Sequence, residues 1–265
     1  MPFENINLIP IYISIGAGVL LVALALWKKA LTIPATASAF IILVLAALFT
    51  SYTGVVVFSV SFVGAAVIGQ IKRDKRKDRE QGLYPHQGAR GLVQVLCNSL
   101  PALTYGAVYF ATGRTSFLIA SAVTVCAGIA DSAASDLGIL SDGKVISLLT
   151  FKNVERGMSG GVSLLGTFSA LLTSITIASI TFAVGEVGLK GLWVIALMGF
   201  VGTLIDSLLG ASVQAGYRCN VCLKLTERKE HCSAPTTLVK GLKFVDNNVV
   251  NVVSLFIAGA ISLIF

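Results

Sequence analysis

The chain alternates between long stretches without a charged side chain and short stretches that carry nearly all of the charge. Residues 5–27, 30–71, 91–113, 115–130, 157–185 and 247–265 contain no Asp, Glu, Lys or Arg. A helix needs roughly 20 apolar residues to cross the hydrocarbon layer of a bilayer, so 30–71 is long enough for two helices with a turn near "TSYTG". The predicted spans are 9–27, 34–50, 54–70, 92–112, 116–138, 160–184, 191–212 and 247–265. The expectation is an all-α polytopic bundle of about eight transmembrane helices, within a range of six to eight. The whole chain, 1–265, forms one multi-pass domain. The first span lacks a basic leader and a small-residue cleavage site, so it reads as a helix and not as a signal peptide.

Composition supports the class. With 55% hydrophobic and 12% charged residues and a mean hydropathy of +0.85, the chain has more apolar surface than one soluble core could hide. Orientation follows from where the cations fall, because Lys- and Arg-rich loops stay on the cytoplasmic side. With the N-terminus outside, the inner loops are 28–33, 71–91, 139–159 and 213–246. They hold 18 of the 20 Lys and Arg residues, leaving Arg114 and Lys190 outside. The run KRDKRKDR at 72–79 is then a solvated anchor beside membrane lipid, not a nucleic-acid patch.

Charge inside a span is costly and marks function. Asp131 and Asp136 in "GIADSAASDLG" and Asp206 in "TLIDSLLGAS" all fall in the cytoplasmic third of their spans. Gln94 and Asn98 share a face of the fourth span, and Asp246, Asn247, Asn248 and Asn251 open the eighth. Interhelical hydrogen bonding is the structural alternative for such groups. On an ideal helix Asp131 and Ser135 share one face and Ser132 and Asp136 another, the two acids lying about 140° apart.

The segment KNVERGMSGGVSLLGT, 152–167, runs two cations into four glycines and then into a hydrophobic stretch. It places Ser159, Gly160 and Gly161 at the start of the sixth span, where unpaired N–H groups carry partial positive charge. With Lys152 and Arg156 beside it, the segment reads as a phosphate cradle facing the acids. Carboxylates beside a phosphate site suit a bridging Mg²⁺. A glycine loop serving only tight helix packing is the alternative. No GxxxxGK[ST] sequence occurs, so an ordinary P-loop is excluded.

The inner loop 213–246 contains "YRCNVCLKLTERKEHC". Cys219, Cys222, His231 and Cys232 are the ligand types of a structural zinc site, with the knuckle spanning 219–232. Adjacent residues such as His231 and Cys232 do not easily bind one ion together, which makes one of them a candidate bystander; reduced cysteines in a packed loop are the alternative. A cytosolic placement argues against disulfides. Cys97 and Cys126 read as apolar fillers, and His86 has no evident partner.

Six stretches together, "GARGLVQVLCNS", "ADSAASDLG", "TFKNVERGMSGGVSLLGT", "IDSLLGASVQ", "YRCNVC" with "HC", and "VDNNVVN", resemble the membrane family that contains phytyl-phosphate kinase of vitamin E synthesis and animal transmembrane protein 19. Asp131, Ser132, Ser135, Lys152, Gly157, Gly160 and Gly161 fall on positions of that family's motifs, as do Asp206, Gly210, Gln214, Asn247, Asn248 and Asn251. Three positions depart from the pattern: Asp136 stands for a Glu, Ser132 for a Thr and Met158 for a Thr. No Arg- and Ser-rich leader opens the chain, so a plastid location is not expected; the organelle is left open.

The resemblance implies a phosphotransferase moving a phosphoryl group from a nucleoside triphosphate, CTP or ATP, to a phytyl or prenyl monophosphate. In that reading Asp131, Lys152, Arg156 and Asp206 are catalytic. Phosphates meet Gly157, Ser159, Gly160, Gly161, Ser132 and Ser135, with Asn98, Asn247, Asn248 and Asn251 nearby. Mg²⁺ falls to Asp131, Asp136 and Asp206, and Zn²⁺ to the Cys/His loop. The rival readings are an ion-coupled carrier, with "IADS" at 129–132 and "LIDS" at 204–207 as a repeat, and a scaffold without catalytic activity that docks a partner through the zinc loop. Isoprenoid lipid phosphate and nucleotide are the expected partners, with the active face toward the cytosol.

Overall fold

A computed structural model describes residues 7–76, 89–154 and 156–265, the side chains of 72–76 apart. The side chains of the basic run 72–79, and His86 altogether, therefore lie outside the described residues. Among the described residues are seven helices: α1 (Leu8–Trp27), α2 (Ile33–Arg76), α3 (Leu92–Thr112), α4 (Thr115–Gly138), α5 (Leu164–Val184), α6 (Leu189–Ser212) and α7 (Asn247–Ser262). Five of them, α1, α2, α4, α5 and α6, are long and apolar enough to cross a membrane, while the apolar α7 is shorter.

The helix α2 is two helices joined by a sharp turn. Thr50 (φ −130°, ψ 21°) and Ser51 (φ 53°, ψ −137°) leave the helical region. A Cβ added at Gly54 would lie 2.2 Å from the Ala46 carbonyl oxygen, whereas eight residues of straight helix would separate the two by about 12 Å. The chain therefore doubles back at "TSYTG". The turn leaves the Thr53 N–H without a helical acceptor, and Glu186 Oε2 takes it at 2.7 Å. That bond joins the turn to the α5–α6 connection, so both lie at one end of the bundle. Counted on either side of the turn, the described residues form eight helical segments.

At the centre is α4, which touches α2, α3, α5, α6 and α7 and is buried almost all round from Ala120 to Ala130. Small residues make this close approach possible, as they do where lipid offers no hydrophobic drive between helices. A Cβ at Gly202 would come within 2.6 Å of Ala127 Cβ, and one at Gly199 within 2.3 Å of Cys126 Sγ. Cys126 is buried in this contact, as expected of an apolar filler.

The opposite end of the bundle carries structure absent from the helical reading of the sequence. β1 (Val145–Ser147) pairs antiparallel with β2 (Gly161–Ser163). The loop after α6 folds into a four-stranded antiparallel sheet, order β4-β3-β6-β5, from β3 (Gly216–Cys219), β4 (Leu225–Thr226), β5 (Glu230–His231) and β6 (Ala234–Lys240).

Candidate functional site

The expected sixth span begins four residues late. α5 starts at Leu164, and its N-cap is Ser163, whose Oγ accepts from the Gly166 N–H at 3.1 Å. Gly157 to Gly161 thus lie in a turn and in strand β2, and they do not offer the free N–H groups of a first helical turn. The β1 pairing holds the segment across the end of the bundle. Gly157 (φ +85°) and Gly160 (φ +82°) have left-handed backbone, which glycine adopts without the Cβ penalty. A Cβ at Gly160 would sit 2.4 Å from the Cα and N of Ala211, so the loop rests directly on the α6 backbone.

This loop roofs a cleft of about 860 Å³, part of it open to solvent. Asp131 and Ser135 of α4 line it together with Asp206 and Ser207 of α6, Arg156 through Gly161 of the loop, and Asn247 of α7. Asp131 is within electrostatic reach of both Asp206 and Asp136. Hydroxyls and amides support Asp206 from behind. Ser254 Oγ donates to Asp206 Oδ2 at 2.8 Å. The Asn251 amide lies between Asp206 and Asn98, and with its nitrogen turned to the carboxylate it donates to Asp206 Oδ2 and to the Asn247 carbonyl, each at 3.1 Å. Asn98 and Asn251 contact each other at 3.1 Å.

Not every expected site residue reaches the cleft. Asp136 turns away from the lining: it is buried, with its Oδ2 3.9 Å from Arg90 Nη2, as the 140° between the two acids requires. It nevertheless stays within electrostatic reach of Asp131. Lys152 is exposed in the turn after β1, where its carbonyl accepts from the Ser147 N–H at 2.9 Å, and it lies outside the lining. Ser132, Asn98, Asn248 and Asn251 are likewise outside it. Arg156 is at the rim, donating to the Gly143 carbonyl at 3.2 Å, with Nη1 3.9 Å from Asp142.

The loop after α6 adds Gln214, and its sheet region adds Glu227 and Lys240, which sequence reasoning missed. Glu227, just past β4, accepts a hydrogen bond from Ser159 Oγ. Gln214 Nε2 donates to the same hydroxyl at 2.7 Å. Lys240 Nζ donates to the Gly210 carbonyl at 2.8 Å and to that of Ser159 at 3.4 Å. Burial pushes the Glu227 carboxyl up, against the pull of its Ser159 hydrogen bonds and of Lys240. Burial also draws the Lys240 ammonium down, opposed by Glu227. Glu227 sits in the charged run "LTERKE", where no spacing distinguishes it from its solvated neighbours; Gln214 had the family resemblance as its one signal.

At the far end of the sheet Cys219, Cys222, His231 and Cys232 bring one ligand atom each to within 4.8 Å of one another. His231 Nδ1 is 3.5 Å from Cys222 Sγ and 3.2 Å from Cys232 Sγ. Their adjacency in the chain does not keep His231 and Cys232 apart from the group.

Helices long and apolar enough to cross a bilayer, packed around a polar cleft with two carboxylates on its floor and a cationic glycine loop over it, mark a polytopic membrane protein. The chain belongs to the DUF92 family of integral membrane proteins, whose family model matches residues 16–259. It is similar to Protein PGR of Arabidopsis thaliana, 31% identical over 75% of this chain and 76% of that protein. It is also similar to the uncharacterized membrane protein MJ0933 of Methanocaldococcus jannaschii, 27% identical over 68% of this chain and 70% of that one. To Protein VTE6, chloroplastic, of Arabidopsis thaliana it is 27% identical over 52% of this chain and 35% of the relative. No solved structure matches the chain.

Proposed function

We propose that the cleft binds a nucleoside triphosphate and a prenyl or phytyl monophosphate and transfers a phosphoryl group between them, yielding the lipid diphosphate. The observation that carries this reading is the meeting of Asp131 and Asp206, from two different helices, beneath Arg156 and the Gly157–Gly161 loop. The likeness to VTE6 supports it from outside the structure.

The donor set fits Mg²⁺, which takes oxygen ligands and commonly one or two carboxylates together with substrate phosphates. Asp131 and Asp206 would hold it, with Ser135 and Asn247 at hand; when bound, the ion neutralises phosphate charge. Arg156 at the rim adds a full positive charge near the transferred group. Ser159, fixed by Glu227 and Gln214, presents the loop in one conformation. An oxygen of the lipid monophosphate attacks the terminal phosphorus, the bond to the bridging oxygen breaks, and the nucleoside diphosphate departs. A phosphate acceptor is already ionised, so positioning and charge stabilisation carry the reaction without a strong base.

An apolar helix surface adjoins the cleft and would receive the lipid tail. Thr167 and Ala170 of α5 line the cleft, and Leu164, Phe168 and Leu172 on the same helix are exposed to the surroundings of the bundle. The cleft lies at the end that holds most of the Lys and Arg residues, which supports a cytosolic active face by the positive-inside rule. Its lining comes from the loop-side ends of α4, α5, α6 and α7, a one-sided arrangement that suits an enzyme better than a carrier with access from both faces.

The test is to incubate the purified protein in detergent with Mg²⁺, labelled CTP or ATP, and phytyl, geranylgeranyl or farnesyl monophosphate. Label is expected in a lipid diphosphate and is expected to vanish in Asp131→Asn. No transfer to any of these lipids by protein that unfolds cooperatively on heating would overturn the reading.

A further inference from the structure

We propose that Cys219, Cys222, His231 and Cys232 form a structural zinc site that holds the four-stranded sheet together. The inference is independent of phosphoryl transfer and can be tested without any turnover.

The first half of the site is a Cys-x-x-Cys turn. The Val221 and Cys222 N–H groups both point at Cys219 Sγ, at 3.4 and 3.5 Å, and the Leu223 N–H closes the turn on the Cys219 carbonyl at 3.1 Å. Backbone donors aimed at a sulfur favour its thiolate form, the form that binds metal. Cys219 is fully buried although two other cysteines of the group are exposed.

The second half is a tight hairpin. His231 pairs with Ala234 across Cys232 and Ser233, and both turn residues have positive φ, 54° and 57°. Two-residue hairpins of that geometry strongly prefer Asn-Gly. A non-glycine residue persists in such backbone when its surroundings over-determine it. Here the strained residue is the one that carries a sulfur into the group.

The spacing matches zinc. With Zn–S near 2.3 Å and Zn–N near 2.0–2.1 Å in a tetrahedron, sulfur–nitrogen distances come to about 3.5 Å and sulfur–sulfur distances to about 3.8 Å. Of the two observed sulfur–nitrogen separations, 3.5 and 3.2 Å, one equals the first value and the other lies a few tenths of an ångström below it. Both sulfurs face Nδ1, which makes that nitrogen the ligand. Three sulfurs and one imidazole around a single point suit zinc among the common metals.

The sheet also needs such a staple. Residues 213–246 form a unit below the roughly 40 residues at which chains usually rely on metals or disulfides for stability. The same sheet carries Glu227 and Lys240, which hold Ser159, so the ion would fix the roof of the cleft from outside the bilayer.

The experiment measures metal in the full-length protein, purified in detergent through a tag without histidine. About one zinc per chain is expected, released on addition of a mercurial thiol reagent. Cobalt replacement should give thiolate-to-metal charge-transfer absorption. Cys222→Ser should lower the zinc content several-fold, whereas His231→Cys, which keeps four ligands, and Cys97→Ser, elsewhere in the chain, should retain it. Three results would each overturn the proposal: protein with five free thiols that holds no zinc, a disulfide within the group, or full zinc content in a Cys222→Ser/Cys232→Ser double variant.

Discussion

Replacing Gly160 by alanine tests how the roof of the cleft is held. Two costs add. The residue has φ +82°, where an L side chain loses roughly 1–2 kcal/mol. The new methyl would also sit 2.4 Å from the N, Cα and Cβ of Ala211. Two of those atoms are backbone, so no rotamer change relieves the contact and the loop must move by about 1 Å, an overpacking cost of roughly 1–3 kcal/mol. Together Gly160→Ala should destabilise by about 2–5 kcal/mol. Gly113→Ala is the matched control: its φ is +67°, with nothing within 4 Å of the added methyl, so it should show the backbone cost alone. Thermal unfolding in one detergent would compare the two. Ala211→Gly should rescue little of the Gly160→Ala loss, because the backbone atoms remain in the way. If Gly160→Ala costs no more than Gly113→Ala, or if Ala211→Gly restores it fully, the loop does not rest on α6 as described.

Three further outcomes are expected. Ser254→Ala removes the 2.8 Å hydrogen bond to Asp206 and should cost about 1.5–3 kcal/mol, read as a lower denaturation midpoint; an unchanged midpoint would contradict that support. Burial raises the Glu227 pKa, so between the ordinary glutamate value of about 4.3 and the raised one the folded chain keeps a proton that the unfolded chain has lost. Stability from this group is full below that interval and falls as pH rises through it. Glu227→Gln should flatten the slope of melting temperature with pH, and an identical slope in the variant would rule burial of Glu227 out as its cause. Tyr105→Phe deletes the 2.8 Å bond from the Tyr105 hydroxyl to the Phe256 carbonyl and should cost about 1 kcal/mol while leaving the turnover of the cleft unchanged, as measured by the lipid phosphorylation assay.

The helical bundle was readable because charge is so expensive in a bilayer that its absence marks each crossing. Even the turn in α2 was visible, since 30–71 is too long for one span and "TSYTG" is its polar interruption. The strands were not readable. β1, β2, β4 and β5 have two or three residues each, too few for an alternating pattern, and β1 and β2 are separated by the whole glycine segment. The same blindness put the glycine segment at a helix start: nothing local announces that Gly161 pairs with Ser147. Asp131 and Asp206 were legible as charges at membrane depth, whereas the Arg90–Asp136 pair depends on how α4 is rotated against the segment before α3. Glu227 was hidden because a buried carboxylate within a charged loop looks like any solvated one.

In the proposed reaction Asp131 and Asp206 hold one divalent ion beside bound nucleotide phosphates. Electron paramagnetic resonance with Mn²⁺ in place of Mg²⁺ and a non-hydrolysable nucleotide, on protein in detergent, measures this directly. A bound Mn²⁺ signal is expected that is lost in Asp131→Asn and in Asp206→Asn and kept in Asp136→Asn, whose carboxylate lies 3.9 Å from Arg90. Mn²⁺ binding that survives both of the first substitutions, or that disappears only in the third, would contradict it.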